Sequence, residues 1–192
     1  MGGDALHEAF RAVARADFLR PRDQSNAGVD APIAIGEGQT NSQPRTVFAM
    51  LELLDVQHGQ RVLDVGSGSG WTTAMLAHLV GPTGIVIGTE LVPDLVAFGA
   101  ANIAKYDFPW AAIRQAEPGT LGAPDDGPFD RILVSAEARS LPEPLVEQLA
   151  VGGTMVIPVG ARMTRVEKDG PEREALTVTT HGLYSFVPLR WE

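Results

Sequence analysis

The stretch VLDVGSGSG, residues 62–70, decides the fold. The run from Arg61 to Val65 is short, apolar and rich in valine, with one acid inside it, which predicts a buried strand. Gly66, Gly68 and Gly70 follow at alternate positions, and residues 70–80 then read as a helix. Glycines at a strand-to-helix turn let the backbone come close to a ligand and aim helix N-terminal amides at it. The stretch is therefore read as the first strand, turn and helix of an α/β unit with a binding loop between them.

Downstream the alternation continues. GIVIGTE (84–90) is a strand, 93–105 a helix, AAIRQA (111–116) a weaker strand and FDRILVSA (129–136) a strong one. A helix follows Pro142, then GTMVIPVG (153–160) as a strand, and the tail LTVTTHGLYSFVPL (176–189) reads as two antiparallel strands. Upstream, Leu6, Ala9, Phe10 and Val13 share one helical face with Asp4 as its cap, and Pro21 closes that segment. A second helix runs over 44–54, with Val47, Phe48, Leu51 and Leu54 inward and Gly59 as its stop. Strand-helix alternation predicts a mostly parallel sheet with helices on both faces and an antiparallel strand pair at the C-terminal end. Such sheets bind ligands beyond the carboxyl ends of their strands, where the strand order reverses. A chain of 192 residues is read as one domain in three parts: N-terminal helices and a loop (1–58), a cofactor-binding core (59–160) and the antiparallel strands (161–192).

Composition narrows the function. The net charge of -9 opposes phosphate backbones and anionic membrane surfaces, so nucleic acid and membrane partners are not expected. There is no cysteine, which removes disulfides, thiolate nucleophiles and zinc-thiolate sites. His7, His58, His78 and His181 are scattered without metal-ligand spacing, and no metal is expected. No apolar run reaches the length of a membrane span, and MGGDALHE carries neither a signal peptide pattern nor, with Leu6 at the sixth position, a myristoylation pattern. These features predict a cytoplasmic protein.

The glycine loop is selective about its ligand. A dinucleotide fingerprint, G-x-G-x-x-G, requires a third glycine at Trp71 or Thr73, and neither is glycine. No Gly-Lys-Ser/Thr follows, so it is not a phosphate-binding P-loop. The pattern G-x-G-x-G behind Asp64 resembles that of methyltransferases that use S-adenosylmethionine, which has no pyrophosphate. Asp64, Gly66, Ser67, Gly68 and Gly70 are then candidate cofactor residues, and Glu90, at the end of the next strand, is the candidate for the ribose hydroxyls. Without that resemblance, the same loop reads as a tight turn.

One stretch fits no general scheme. IGEGQTNSQP (35–44) puts a row of hydrogen-bonding side chains between an apolar patch and a helix. With LDVGSGSG, PFDRI (128–132), LPEPLVEQLAVGG (141–153), VIPVG (156–160) and FVPL (186–189), it resembles the protein-L-isoaspartate O-methyltransferase family over nearly the whole chain. The resemblance implies a Rossmann-like class I methyltransferase fold. It implies a monomeric enzyme that methylates the free carboxylate of isoaspartyl residues in damaged peptides, using S-adenosylmethionine and releasing S-adenosylhomocysteine. It also implies Ser42 as the active-site residue, Thr40, Asn41 and Gln43 beside the cofactor, and Ile35, Gly36, Pro158 and Val159 near the substrate. On local grounds alone, Ser42 is also a helix cap.

The match departs in places. Where the family usually has Gly-Asp-Gly, this chain has Glu117-Pro118-Gly119, which leaves Glu117 and Gly119 as the candidate cofactor contacts. Ala123 stands where an aromatic is common, and Glu137 replaces a small apolar residue near the expected cleft. In ARMTRVEKDG (161–170), Arg162 and Arg165 face either an acidic substrate or solvent, as in an exposed hairpin. The alternatives are a related methyltransferase with another acceptor, a cofactor-binding module without catalysis and, least compatible with Trp71, a dehydrogenase.

Overall fold

The structure is a computed structural model that describes residues 2–172 and 175–191. Helix α1 (Gly2–Ala12) leads through two 3-10 turns, Arg15–Phe18 and Pro21–Asn26, to a hairpin of β1 (Ile33–Gly36) and β2 (Gln39–Asn41). Helix α2 (Pro44–Leu54) follows, and then the alternating core: β3 (Arg61–Val65), α3 (Trp71–Val80), β4 (Ile85–Glu90), α4 (Pro93–Ile103), β5 (Ala111–Gln115) and β6 (Phe129–Val134). Helix α5 (Glu143–Gln148), β7 (Leu149–Val159), β8 (Arg162–Lys168) and β9 (Leu176–Leu183) complete the chain.

Seven strands form one sheet in the order β5-β4-β3-β6-β7-β8-β9. The first five are parallel, while β8 is antiparallel to both β7 and β9. The order reverses between β3 and β6, and this is where a ligand crevice forms in such sheets. The strands alternate faces with period two. Val62, Val86, Leu133 and Val156 join the cluster packed by α1, α2 and α3, with Ile103 of α4. Leu63, Val65, Ile132, Val134, Met155 and Ile157 join the opposite cluster with Leu145 and Val146 of α5.

Three expectations are corrected. Asp4 lies inside α1 rather than capping it. Helix α2 ends at Asp55, whose left-handed φ of 49° closes it well before Gly59. The antiparallel strands are Arg162–Lys168 and Leu176–Leu183, so the basic stretch is a strand and Tyr184 onward is not. RMTRVEK shows no simple alternation because this strand is packed on both faces, Met163 in the cluster with α1, α2 and α3 and Val166 in the opposite one. Met163 and Val166 are buried, while Arg165 donates from Nε to the Leu53 carbonyl at 2.9 Å and pairs with Glu167.

Candidate active site

A cavity of about 880 Å³ opens beyond the carboxyl ends of β3, β4 and β6, within the range of roughly 300–1,000 Å³ usual for small-ligand sites. Its walls come from the β2–α2 segment (Thr40 to Val47), the glycine loop (Gly66 to Ser69), the end of β4 (Thr89, Glu90), residues 120–122 and the tail from Leu183 to Trp191.

The glycine loop is held from beneath by shape. Gly70, with φ +87°, starts α3 and leaves no room for a side chain: a Cβ there would lie 3.0 Å from both the Gly99 carbonyl oxygen and Ile113 Cδ1. Gly99 itself admits none, because its Cβ would approach the Gly68 carbonyl oxygen to 2.8 Å. The loop's amides are already engaged. Gly66 and Ser67 donate to the Thr89 carbonyl at 2.8 and 3.1 Å, and Gly70 donates to the Ser67 carbonyl at 2.8 Å. Gly68 donates to Glu90 Oε2 at 2.9 Å. Four amides of the loop therefore turn away from any pyrophosphate, which rules against a dinucleotide and suits a ligand without phosphate.

Glu90 lines the cavity with both oxygens fixed, since Oε1 accepts the Val92 amide at 2.9 Å. Each oxygen keeps a lone pair for a ligand hydroxyl. Ser67 lines the same wall, and its buried hydroxyl has no partner among the described residues. A polar ligand group at this point satisfies it. These features fit S-adenosylmethionine: a carboxylate for the ribose, an unpaired hydroxyl and a glycine wall.

Asp64 does not reach the cavity. It is wholly buried behind the loop, where Oδ2 accepts the hydroxyls of Thr72 and Thr73 at 2.7 and 2.6 Å. Its Oδ1 is unpartnered, and burial pushes the carboxyl up to about 6, with the charge of Glu90 adding to the rise and the two threonine bonds opposing it.

The opposite wall is a polar strap. Thr40, Asn41, Ser42 and Gln43 all line the cavity. Asn41 is buried and donates from Nδ2 to Ser69 Oγ at 3.1 Å, which stitches the strap to the glycine loop. Gln43, not Ser42, is the N-cap of α2, and its side chain accepts the Thr46 hydroxyl at 3.3 Å but caps no helix amide. Asp30 does so instead: its Oδ1 accepts the Arg45 amide at 3.0 Å, and that bond holds the carboxyl below its ordinary range. Ser42 is thereby freed from capping. Its hydroxyl has no hydrogen-bond partner among the described residues and faces the cavity.

What places Ser42 is Arg15, a buried cation that the sequence reading missed. Its Nε donates to Asn41 Oδ1 at 2.7 Å, and Nη2 donates to the carbonyls of Ser42 at 2.9 Å, Ala31 at 2.8 Å and Asn41 at 3.3 Å. Nη1 donates to the carbonyls of Val29 at 2.7 Å and Ala27 at 3.3 Å. The guanidinium lies 5.4 Å from the Trp71 ring centroid. Its own backbone is clamped too, since Tyr106 Oη accepts the Ala14 amide at 3.1 Å and donates to Asp17 Oδ2 at 2.7 Å.

Most expected site residues meet on the cavity wall, but several do not. Gly70 supports the loop from below. Glu117 and Gly119 are exposed and lie off the wall, whose lining here is Ala116, Thr120, Leu121 and Gly122. Ile35 is fully buried with Leu19 and Leu95, under the strap. Gly36 is at the exposed hairpin turn beside Arg20, and Pro158 and Val159 pair with β8. Glu137 is half-buried outside the lining; its backbone docks the tail, donating to the Val187 carbonyl and accepting the Leu189 amide, both at 2.8 Å. The tail itself, read as a strand, supplies a whole wall, and its aromatic run Tyr184, Phe186 and Trp191 is the signal that could have found it.

Residues 1–191 match the profile of the family described as Protein-L-isoaspartate(D-aspartate) O-methyltransferase (PCMT). The chain belongs to this family. It is 44% identical over 188 residues to the protein-L-isoaspartate O-methyltransferase of Methanopyrus kandleri, covering 95% of this chain and 81% of the relative. The enzyme of the same name from Thermococcus onnurineus is 41% identical over 193 residues, covering 97% and 85%. Among solved structures, a Plasmodium falciparum protein assigned to this activity, in complex with S-adenosyl-L-homocysteine, superposes with a TM-score of 0.82 at 27% identity, covering 98% of this chain and 91% of the other. The fold is thus the Rossmann-like methyltransferase fold with antiparallel strands at the C-terminal end. Among the described residues, no helix is long and apolar enough to cross a membrane.

Proposed function

We propose that the chain repairs damaged peptides by methylating the free carboxylate of L-isoaspartyl residues, with Ser42 orienting that carboxylate. The observation that carries this is the strap: Ser42 faces the cavity with its hydroxyl unengaged, opposite a loop shaped for S-adenosylmethionine.

Bound S-adenosylmethionine supplies a methyl group on a sulfonium centre, and S-adenosylhomocysteine leaves. A carboxylate oxygen forms the new bond to carbon while the carbon–sulfur pair stays with sulfur. An acceptor carboxyl with a pKa of about 3.9 is already ionised at neutral pH, so no protein base is needed. What remains is positioning, which contributes roughly 7 to 11 kcal/mol in favourable cases. Glu90 and Ser67 fix the donor side. The Ser42 hydroxyl donates to one acceptor oxygen and leaves the other aimed at the methyl group. Arg45 and Arg190 stand on the rim, where they draw in an anionic acceptor; Asp30 Oδ2 is 3.3 Å from Arg45 and mutes it in part.

The test is transfer of labelled methyl to a synthetic isoaspartyl peptide, with the normal aspartyl peptide as control. Transfer to the isoaspartyl form alone is expected. Ser42→Ala should lower kcat about 10- to 100-fold, the worth of one hydrogen bond to a charged group, while affinity for S-adenosylhomocysteine stays within roughly threefold. Binding of S-adenosylhomocysteine without any transfer would instead mean another acceptor.

A further inference from the structure

One end of the cavity lacks the side chain that the sequence offered for it. The linear order of the sheet fixes which end. Asn41 ties the strap to the loop after β3, Glu90 stands at the end of β4, and residues 116–122 follow β5, the next strand outward. The reacting methyl must face Ser42, and Glu90 is the ribose contact. The group attached to the far side of the ribose, the adenine, therefore lies against residues 116–122. There Glu117 and Pro118 are exposed and off the wall, and the lining is Ala116, Thr120, Leu121, Gly122 and Trp191.

Trp191 is brought there by the backbone. After β9 the tail is pinned at successive points: the Tyr184 amide donates to the Ala161 carbonyl at 2.9 Å, and Val187 and Leu189 bond the backbone of Glu137 at 2.8 Å. The Gly119 amide then donates to the Trp191 carbonyl at 2.6 Å. Gly119 has φ +80°, a conformation that suits glycine and lets this amide meet the tail. The tail thus crosses from the turn before β8, past the end of β6, to the loop after β5. Trp191 lines the cavity at that loop and also borders the neighbouring groove formed by Pro124, Pro128, Pro144 and Gln148, so it stands between the two.

We propose that Trp191 is the adenine-binding residue of this chain. The wall it completes carries no carboxylate from residues 117–119, so a planar heterocycle is held there by stacking and dispersion on the indole. This inference rests on the use of S-adenosylmethionine proposed above.

The test is the affinity for S-adenosylhomocysteine and for adenosine by calorimetry, together with quenching of tryptophan emission on binding. Stacking of a base on an aromatic ring corresponds to roughly 5- to 150-fold in affinity. Trp191→Ala and Trp191→Leu should therefore weaken both ligands by about 10-fold or more, and by the same factor. Trp191→Phe should stay within roughly threefold of the parent and abolish most of the quenching. Affinity of Trp191→Ala equal to that of the parent overturns the proposal. So does equal loss in the Phe and Leu variants, or a change in peptide KM with ligand affinity unmoved. A parent chain that binds neither ligand overturns the underlying cofactor reading, and this inference with it.

Discussion

The two walls that meet at Asn41 and Ser69 are built on opposite principles. The glycine loop is held by shape: at Gly70, Gly88 and Gly99 neighbouring backbone or side-chain atoms come so close that a side chain has no room, and the amides of Gly66, Ser67, Gly68 and Gly70 are all engaged. The strap has almost no packing of its own beyond Ile35, and the carbonyls of Asn41 and Ser42 converge instead on one side chain, Arg15, which also holds those of Val29 and Ala31 in the preceding loop. A packed wall distributes its stability over many contacts. A wall hung on a single cation fails with that cation. Each wall also rests on a buried charge, Arg15 under the strap and Asp64 under the loop, and these two differ in how fully they are satisfied. All five donors of Arg15 are used, whereas Asp64 has one bare oxygen.

The largest effect follows from that difference. Arg15→Ala leaves the buried oxygens of Asn41 and the part-buried carbonyls of Val29, Ala31 and Ser42 without their donor, and a buried orphan costs about 1–3 kcal/mol, less where water reaches it. We expect a loss of roughly 3–5 kcal/mol in stability by denaturant unfolding, and a fall in kcat at least as large as that of Ser42→Ala. Arg15→Lys should rescue little, because one ammonium cannot span acceptors spread from residue 27 to residue 42. Affinity for S-adenosylhomocysteine should fall far less than kcat. If both fall by the same factor, the strap is no more dependent on Arg15 than the loop is, and the contrast between the walls is lost.

Asp64 gives the next effect, and it lies on the pH axis. Its folded pKa, about 6, is above the ordinary 3.8, so between those values the folded state binds more protons than the unfolded one. Stability from this group therefore falls as pH rises from about 4 through about 6, and levels off roughly one unit above that. The rise from 3.8 to about 6 corresponds to about 3 kcal/mol. Asp64→Asn removes this dependence. The stability difference between variant and parent should shift toward the variant by about 2 kcal/mol as pH goes from 4 to 6, measured by urea unfolding at each pH. A difference that is flat with pH would show that the bare oxygen is solvated, and that this wall is no more strained than the strap.

The contrast also explains what the sequence revealed. Loop, strand and helix are local: VLDVGSGSG carries its own period change and its own glycines, so β3, α3 and the placing of Gly66, Ser67 and Gly68 could be read directly. Glu90 could be read because a strand end is fixed by the same local pattern. Arg15 could not, since its acceptors are main-chain carbonyls that no side-chain motif encodes. The tail failed for the same reason. FVPL resembles a strand in composition, yet its docking to Glu137 and Gly119 is through backbone atoms, so alternation was absent and the wall went unseen. Glu117 failed in the other sense: its type was suitable, but the loop after β5 turns it outward.

The smallest effects separate the two walls by their glycines. Gly38 in the strap hairpin has φ +69° and open space around it, so Gly38→Ala meets no atom and costs only the left-handed backbone, about 1–2 kcal/mol. Gly99 is in α4 with ordinary helical backbone, where alanine is intrinsically the better residue by roughly 1 kcal/mol. Yet its new methyl would sit 2.8 Å from the Gly68 carbonyl oxygen and 2.7 Å from Ile113 Cδ1. Overpacking of this kind costs about 1–3 kcal/mol, so the helix gain and the clash nearly offset each other in stability. They do not offset in function, because the atom displaced is the backbone of the cofactor loop. Gly99→Ala should therefore unfold near the parent midpoint while binding S-adenosylhomocysteine several-fold more weakly, and Gly38→Ala should do the reverse. Should both variants lose stability alone, Gly99 is packing the helix rather than seating the loop, and the close approach of α4 serves the core instead of the ligand.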